Sequence, residues 1–186
     1  MPAATASQTI GPYWHLLEDK SWADLTRFGA TQAHPDRRPI VLTGILRDGA
    51  GDPFPDACVE LWQPDPVASA AFPGFGRSGT DRDGRYRFRT LMPRAVPAAG
   101  GARGNVMQAP HLALAILARG LMHGLTTRAY FAGEALNEAD PLLNSIADPT
   151  RRSTLVATPL GPLDGADGWQ LDLRLQGTDE TVFLEF

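Results

Sequence analysis

The sequence has 186 residues, of which 43% are hydrophobic and 20% are charged, a size and composition that suit one compact domain with a buried core. The formal net charge is −4 and charges of both signs are interspersed, which argues against nucleic acid as the main partner. The single cysteine, Cys58, excludes an internal disulfide and a thiolate zinc cluster.

The chain begins with an arm and a short helix, residues 1–30, in which "SQTIGPYW" leads into the helical pattern of "YWHLLEDKSWADLTRF". This arm lacks the basic and apolar regions of a secretory signal, and the apolar runs of the chain are too short to span a membrane. We therefore expect a cytoplasmic protein.

Residues 38–186 contain many short apolar or alternating runs separated by turns rich in glycine and proline. The segment "RPIVLTGILRDGAGDPFPDACVELWQPDP" predicts two strands paired as a hairpin. In "TDRDGRYRFRTL", a turn precedes a strand with Tyr86 and Phe88 on one face and arginines on the other. The turn sequence "DRDG" lacks the later acidic ligand of a calcium loop.

Three further segments support the predicted fold. "HLALAIL" is apolar on both faces and predicts a central, covered strand, whereas "WQLDLRL" alternates like a half-buried strand. "EADPLLNSI" predicts a short helix. The whole chain, residues 1–186, is thus expected to form a single all-β domain, a β-sandwich with short helices and long loops, whose core is residues 38–186.

Two polar residues bound the central strand, His111 at its start and Arg119 just after its end. His111 alone does not make a metal site, because catalytic metals usually take at least three protein ligands, so a structural histidine is the simpler interpretation. An arginine ending a strand covered on both faces needs either an acidic partner or a functional anion, and the pattern leaves both open.

Several phrases resemble a known family when taken in this order and spacing. They are "SQTIGPYW", "VELWQPDP", "FGRSGTDRDGRYRFRTL", "APHLALAILARGL", "TRAYF" and "QGTDETVFLEF". Together they resemble the intradiol ring-cleaving dioxygenases over nearly the whole chain. The resemblance implies a β-sandwich, in agreement with the predicted strands.

Catalytic chains of this family hold Fe(III) with two tyrosines and two histidines. The two loops that supply those tyrosines are here "PDPVASAAFPGFGRSG" and "LMPRAVPAA", which contain none. His111 matches the first residue of the family's His-x-His pair, and Ala113 replaces the second. The resemblance therefore implies an alpha-type subunit that has lost its own metal site, with His111 as a relic, while an iron-bearing beta-type partner holds Fe(III).

The resemblance also implies which residues of this chain complete the partner's pocket. Thr9, Gly11, Pro12 and Tyr13 would form part of its wall, and Arg119 would favour an anionic aromatic acid. The implied reaction is cleavage of 3,4-dihydroxybenzoate by O2 to 3-carboxy-cis,cis-muconate, a step of aromatic catabolism in the beta-ketoadipate pathway. A higher alpha–beta oligomer is implied as well, with no catalytic residue on this chain alone.

Two alternatives remain at this stage. One is a divergent active dioxygenase whose ligands come from His15, His111, His123 and a tyrosine. The other is a stand-alone β-sandwich binding module of the transthyretin-like type without enzyme activity.

Overall fold

A computed structural model of the chain describes residues 10–11, 13–98 and 106–185. The strands are β1 (Pro39–Arg47), β2 (Cys58–Trp62), β3 (Phe75–Gly79), β4 (Arg85–Leu91), β5 (Val96–Pro97), β6 (Met107–Gln108), β7 (His111–Leu117), β8 (Leu125–Phe131), β9 (Val156–Leu163), β10 (Ala166–Gln170) and β11 (Leu173–Arg174). The helices are α1 (Trp14–Leu17), α2 (Ala30–Ala33), α3 (Pro141–Ser145) and α4 (Pro149–Ser153), with 3-10 turns at Lys20–Ala23 and Ala135–Glu138. The prediction of a mostly β fold with short helices is confirmed. None of the helices in the described ranges has the length and apolar character needed to cross a bilayer.

Nine strands form one mixed sheet in the order β11-β1-β10-β9-β8-β7-β2-β3, with β4 pairing to β1. Strand β9 joins the two halves, because it runs parallel to β8 at its start and antiparallel to β10 further on. Buried side chains from both halves, such as Leu42, Phe88, Leu112 and Leu114, pack into one core cluster. Strands β5 and β6 form a separate short ribbon beside β7.

The predicted pairing of β1 with β2 as a hairpin is wrong. Strand β1 pairs antiparallel with β4, from Pro39 opposite Leu91 to Ile45 opposite Arg85. Strand β2 instead lies between β3 and β7. Alternating apolar residues indicate that each segment is a strand, but they do not encode the partner, which the packing of the whole core selects.

The predicted strand "WQLDLRL" is divided into β10 and β11 by a close approach to β1. A Cβ on Gly44 would lie 1.8 Å from the Leu171 carbonyl oxygen, so only glycine fits here. Next to it, Asp172 Oδ1 accepts a hydrogen bond from the Ile45 amide at 3.0 Å. A side chain thus replaces one rung of the backbone ladder, and the strand is interrupted.

Strand β7 is central, as predicted, but only one of its faces is fully covered. Leu112, Leu114 and Ile116 are buried in the core, whereas Ala113 and Ala115 on the opposite face are partly exposed. The outer face carries His111 at its start, and it is the face on which the polar residues of the candidate site lie.

Candidate functional site

The two residues singled out by the sequence lie at opposite ends of β7. Leu117 lies six positions after His111, which is about 20 Å along a strand, and Arg119 follows in the next turn. We call the region of Gln108, His111, Arg128, Tyr130 and Asp140 the histidine end. The region of Gly11, residues 13–18 and Arg119 is the arm end.

At the histidine end, His111 is 5% exposed and its ring lies 5.6 Å from that of Tyr130. Its Nδ1 is 2.7 Å from the Ala109 carbonyl oxygen, which only accepts, so Nδ1 carries the proton and donates. Burial, reinforced by the nearby charge of Arg128, lowers the pKa of His111. The imidazole is therefore neutral near pH 7.

Asp140 organises the same region from a fully buried position. It accepts hydrogen bonds from the backbone amides of Ala109 (2.8 Å), Leu142 (2.9 Å) and Leu143 (3.0 Å). It also accepts from the Tyr130 hydroxyl at 3.1 Å. Both carboxylate oxygens are thus occupied, and the residue caps α3 while fixing the backbone that enters β7.

Arg128 lies opposite Ala113 on the neighbouring strand, so both side chains belong to the His111 face. Its Nη1 donates to Gln108 Oε1 at 2.9 Å and to the Tyr130 hydroxyl at 3.1 Å. A guanidinium cation therefore lies on the face where the family's second histidine would project.

These residues do not fit a ferric ion. His111 offers one free nitrogen, Nε2, and Ala113 offers no ligand atom. Burial raises the pKa of Tyr130, which disfavours the phenolate that ferric iron needs, and the Arg128 cation repels a metal ion. In the described part of the chain, no group of three His, Cys, Asp or Glu side chains is arranged to hold a metal.

At the arm end, Arg119 is exposed in the turn after β7. Of the two alternatives left open by the sequence, an internal acidic partner is not needed, because the strand ends at Leu117 and Arg119 is exposed. Among the described residues, Arg119 has no hydrogen bond or ion pair. Its charge is available to a group outside this chain.

The N-terminal arm is fixed at this same end by Glu18. The carboxylate of Glu18 accepts a hydrogen bond from the Gly79 amide at 2.6 Å. Gly79 lies opposite Cys58, and Cys58 lies opposite Leu117, so these residues form one row across the sheet beside Arg119. The predicted single helix is accordingly broken into α1 and the following 3-10 turn, because Glu18 leaves the helix to reach β3.

The predicted pocket residues of the arm are only partly described. Gly11 has φ +74°, a left-handed conformation that favours glycine, and a Cβ there would meet no atom of the described residues within 4 Å. Tyr13 is 68% exposed. Thr9 and Pro12 lie outside the described residues. Gly11 and Tyr13 thus present open surface.

The alternative ligand set of His15, His111 and His123 is wrong, because these residues do not converge. His15 pairs with Asp56 at 3.1 Å, just before β2, and His123 is exposed in the segment after Arg119. Both therefore belong near the arm end, and His111 is about 20 Å away along β7.

Sequence reasoning missed the partners of His111. Two signals were available: Arg128 and Tyr130 alternate on one face of "LTTRAYF", and Asp140 precedes a proline, as a helix cap often does. Neither signal identifies His111 as the neighbour, because the register of β7 against β8 is a tertiary property.

Comparison with a known protein family gives the class of this protein. The family model described as Dioxygenase matches residues 10–177, and the chain belongs to this family. The predicted resemblance to intradiol dioxygenases is thereby confirmed.

More particular relatives are the protocatechuate 3,4-dioxygenase alpha chains. The chain is 36% identical to that of Pseudomonas putida, over 98% of this chain and 96% of the relative. It is also 36% identical to that of Burkholderia cepacia, over 97% and 96%. It is 30% identical to the Burkholderia cepacia protocatechuate 3,4-dioxygenase beta chain, over 94% of this chain and 77% of that one.

Solved structures agree on the fold. The dioxygenase domain of a carbohydrate-binding fusion protein from Streptomyces sp. SirexAA-E superposes with a TM-score of 0.61 at 23% identity, covering 95% of this chain and 100% of that one. Catechol 1,2-dioxygenase from Pseudomonas arvilla C-1 gives 0.59 at 24% identity, covering 76% and 53%. At these identities the likeness concerns the fold alone.

Proposed function

We propose that this chain is the alpha subunit of a protocatechuate 3,4-dioxygenase, which completes the active site of an iron-bearing beta subunit. The observation that carries the proposal is the 36% identity to two alpha chains over nearly the full length of both proteins. The similarity to a beta chain fits a pair of related subunits. The proposed reaction is cleavage of 3,4-dihydroxybenzoate with O2 to 3-carboxy-cis,cis-muconate.

The position of Arg119 supports a site shared with a partner. Its guanidinium is exposed and lies about 20 Å from the histidine end, so a ligand held by Arg119 is outside this chain's own remnant site. A guanidinium binds a carboxylate through two parallel hydrogen bonds and so orients an aromatic acid. We propose this role for Arg119 toward the substrate carboxylate.

The arm would supply the wall of the same pocket. Gly11 presents backbone without a side chain, which lets a planar ring approach closely, and Tyr13 presents an exposed hydroxyl. Thr9 and Pro12 are assigned to this wall by the resemblance in sequence.

Exposed apolar side chains at the arm end support a protein partner there. Tyr13, Leu16 and Leu17 are 68%, 69% and 78% exposed, and Met122, close to Arg119 in the chain, is 81% exposed. Contiguous exposed apolar groups, such as those along α1, mark interaction sites. We propose that the beta subunit covers them within a higher alpha–beta oligomer.

Fe(III) is assigned to the partner, because the histidine end of this chain lacks a suitable set of ligands. We further propose that residues 1–186 form one cytoplasmic domain whose two sheet halves pack as a β-sandwich. The shared core cluster, with side chains from β1 and β4 on one side and β2 and β7 on the other, supports this arrangement. No observation favours the stand-alone binding module.

The proposal is tested by co-expressing the chain with a beta subunit that carries the two tyrosines and the His-x-His pair. We expect a co-purifying complex with a single iron per alpha–beta pair and O2 uptake on addition of 3,4-dihydroxybenzoate. The chain expressed alone should lack stoichiometric iron and the burgundy tyrosinate-to-iron colour. Tight one-to-one iron in the chain alone, or full activity of the beta subunit alone, would contradict the proposal.

A further inference from the structure

A cavity at the histidine end is not used by the proposed shared site. It has a volume of about 340 Å³ and is lined by Ala98, Gln108, Arg128, Pro141, Leu142 and Ser145. This volume lies within the range of small-molecule pockets. Among the described residues that line it, Arg128 is the only charged one.

The charge of Arg128 is not neutralised by an ion pair in the described part of the chain. Its hydrogen bonds go from Nη1 to two uncharged acceptors, Gln108 Oε1 and the Tyr130 hydroxyl. Asp140 is the nearby carboxylate, but its oxygens are already occupied by backbone amides and the Tyr130 hydroxyl. The remaining guanidinium donors of Arg128 have no partner among the described residues.

The polar side chains that line this cavity can donate hydrogen bonds to a ligand. The Gln108 carbonyl oxygen is engaged by Arg128, so this side chain presents its NH2 group to further partners. The other walls include the apolar groups of Leu142, Pro141 and Ala98. The guanidinium of Arg128 and the amide of Gln108 can bind an anionic group, and the apolar walls can contact an apolar part of the same ligand.

We propose that this cavity binds a small organic carboxylate, with the carboxylate on Arg128 and Gln108 and the apolar body against Leu142 and Pro141. The inference is independent of the proposed function, since it concerns a cavity at the end of β7 opposite Arg119.

Benzoate and its neutral analogue benzamide are suitable probes, titrated calorimetrically into the full chain. We expect saturable benzoate binding and at least about tenfold weaker benzamide binding, as the loss of a charge-assisted contact predicts. Arg128→Gln should lower benzoate affinity by a similar factor, whereas Arg128→Lys should retain part of it. Arg82→Gln is the matched control, because it removes an exposed arginine from the turn before β4 and should leave the affinity unchanged.

A second variant guards against misfolding of Arg128→Gln. Ser145→Phe fills the cavity from α3 without touching the Arg128 hydrogen bonds, and it should abolish benzoate binding at an unchanged melting temperature. Equal affinity of wild type and Arg128→Gln, or equal binding of benzamide and benzoate, would overturn the proposal. Benzoate that binds the full chain but is excluded from the assembled complex would also overturn it, since a carboxylate of the partner would then occupy the pocket.

Discussion

The two ends of β7 differ in how their polar groups are satisfied. At the histidine end, His111, Tyr130 and Asp140 are buried and hydrogen-bonded to groups of the same chain. At the arm end, Arg119 and Tyr13 face solvent. The polar groups of the histidine end thus form an internal hydrogen-bond network, while those of the arm end remain available to a group outside this chain.

The largest expected effect tests the structural character of the histidine end. Asp140→Ala leaves the buried amides of Ala109, Leu142 and Leu143 without an acceptor, so the free energy of unfolding should fall by about 3 kcal/mol. Asp148→Ala is the matched control, because Asp148 caps α4 at an exposed position with one bond to the Thr150 amide. It should cost about 1 kcal/mol. The free energies of unfolding are measured by urea denaturation. Equal losses in the two variants would contradict the special structural role of Asp140.

The next effect probes the arm end. Gly11→Ala adds a Cβ that meets no atom of the described residues within 4 Å but occupies space in the proposed shared pocket. In the complex, it should raise KM for 3,4-dihydroxybenzoate about tenfold, a cost of about 1.4 kcal/mol, while iron content stays the same. Gly133→Ala is a suitable control, since Gly133 has φ +83° and similarly open space in the turn after β8. An unchanged KM in Gly11→Ala would show that the arm does not line the substrate pocket.

The smallest effect concerns the pH dependence of stability. The pKa of His111 is lowered from the usual 6.5, so the unfolded chain binds a proton that the folded chain does not as pH falls below that value. Stability should therefore decline from pH 7 toward the lowered folded pKa, by at most about 1.4 kcal/mol per pH unit from this group. His111→Gln should flatten the decline while leaving the iron content of the complex unchanged. A wild-type slope identical to that of the variant would contradict the neutral, buried state of His111.

The sequence predicted well which segments form strands, but it predicted poorly which strands pair with each other. Alternation identified β4, with Tyr86 and Phe88 buried, and the centrality of β7, because side-chain period and apolar content are local properties. The pairing of β1 with β4 and the interruption at Leu171 depend on contacts between distant segments. No local pattern encodes them.

The same distinction applies to the candidate site. The resemblance to the family implied that this chain lacks a ferric ligand set, because Ala113 stands where the second histidine is expected and the two loops contain no tyrosine. Whether Arg119 pairs with an internal acid was left open by the sequence, because the answer depends on where β7 ends. The network around Asp140 was missed because it joins a helix cap to two strands.

The most direct measurement of the central claim is steady-state kinetics of the Arg119→Ala complex, normalised to iron, with protocatechuate and with catechol. If Arg119 reaches across to the partner's substrate, kcat/KM for protocatechuate should fall by about one to two orders of magnitude, since an arginine–carboxylate contact contributes roughly 1.5–3 kcal/mol. Catechol, which lacks the carboxylate, should be affected much less, and the complex should keep its iron. Equal losses for the two substrates, or no loss for protocatechuate, would contradict the account.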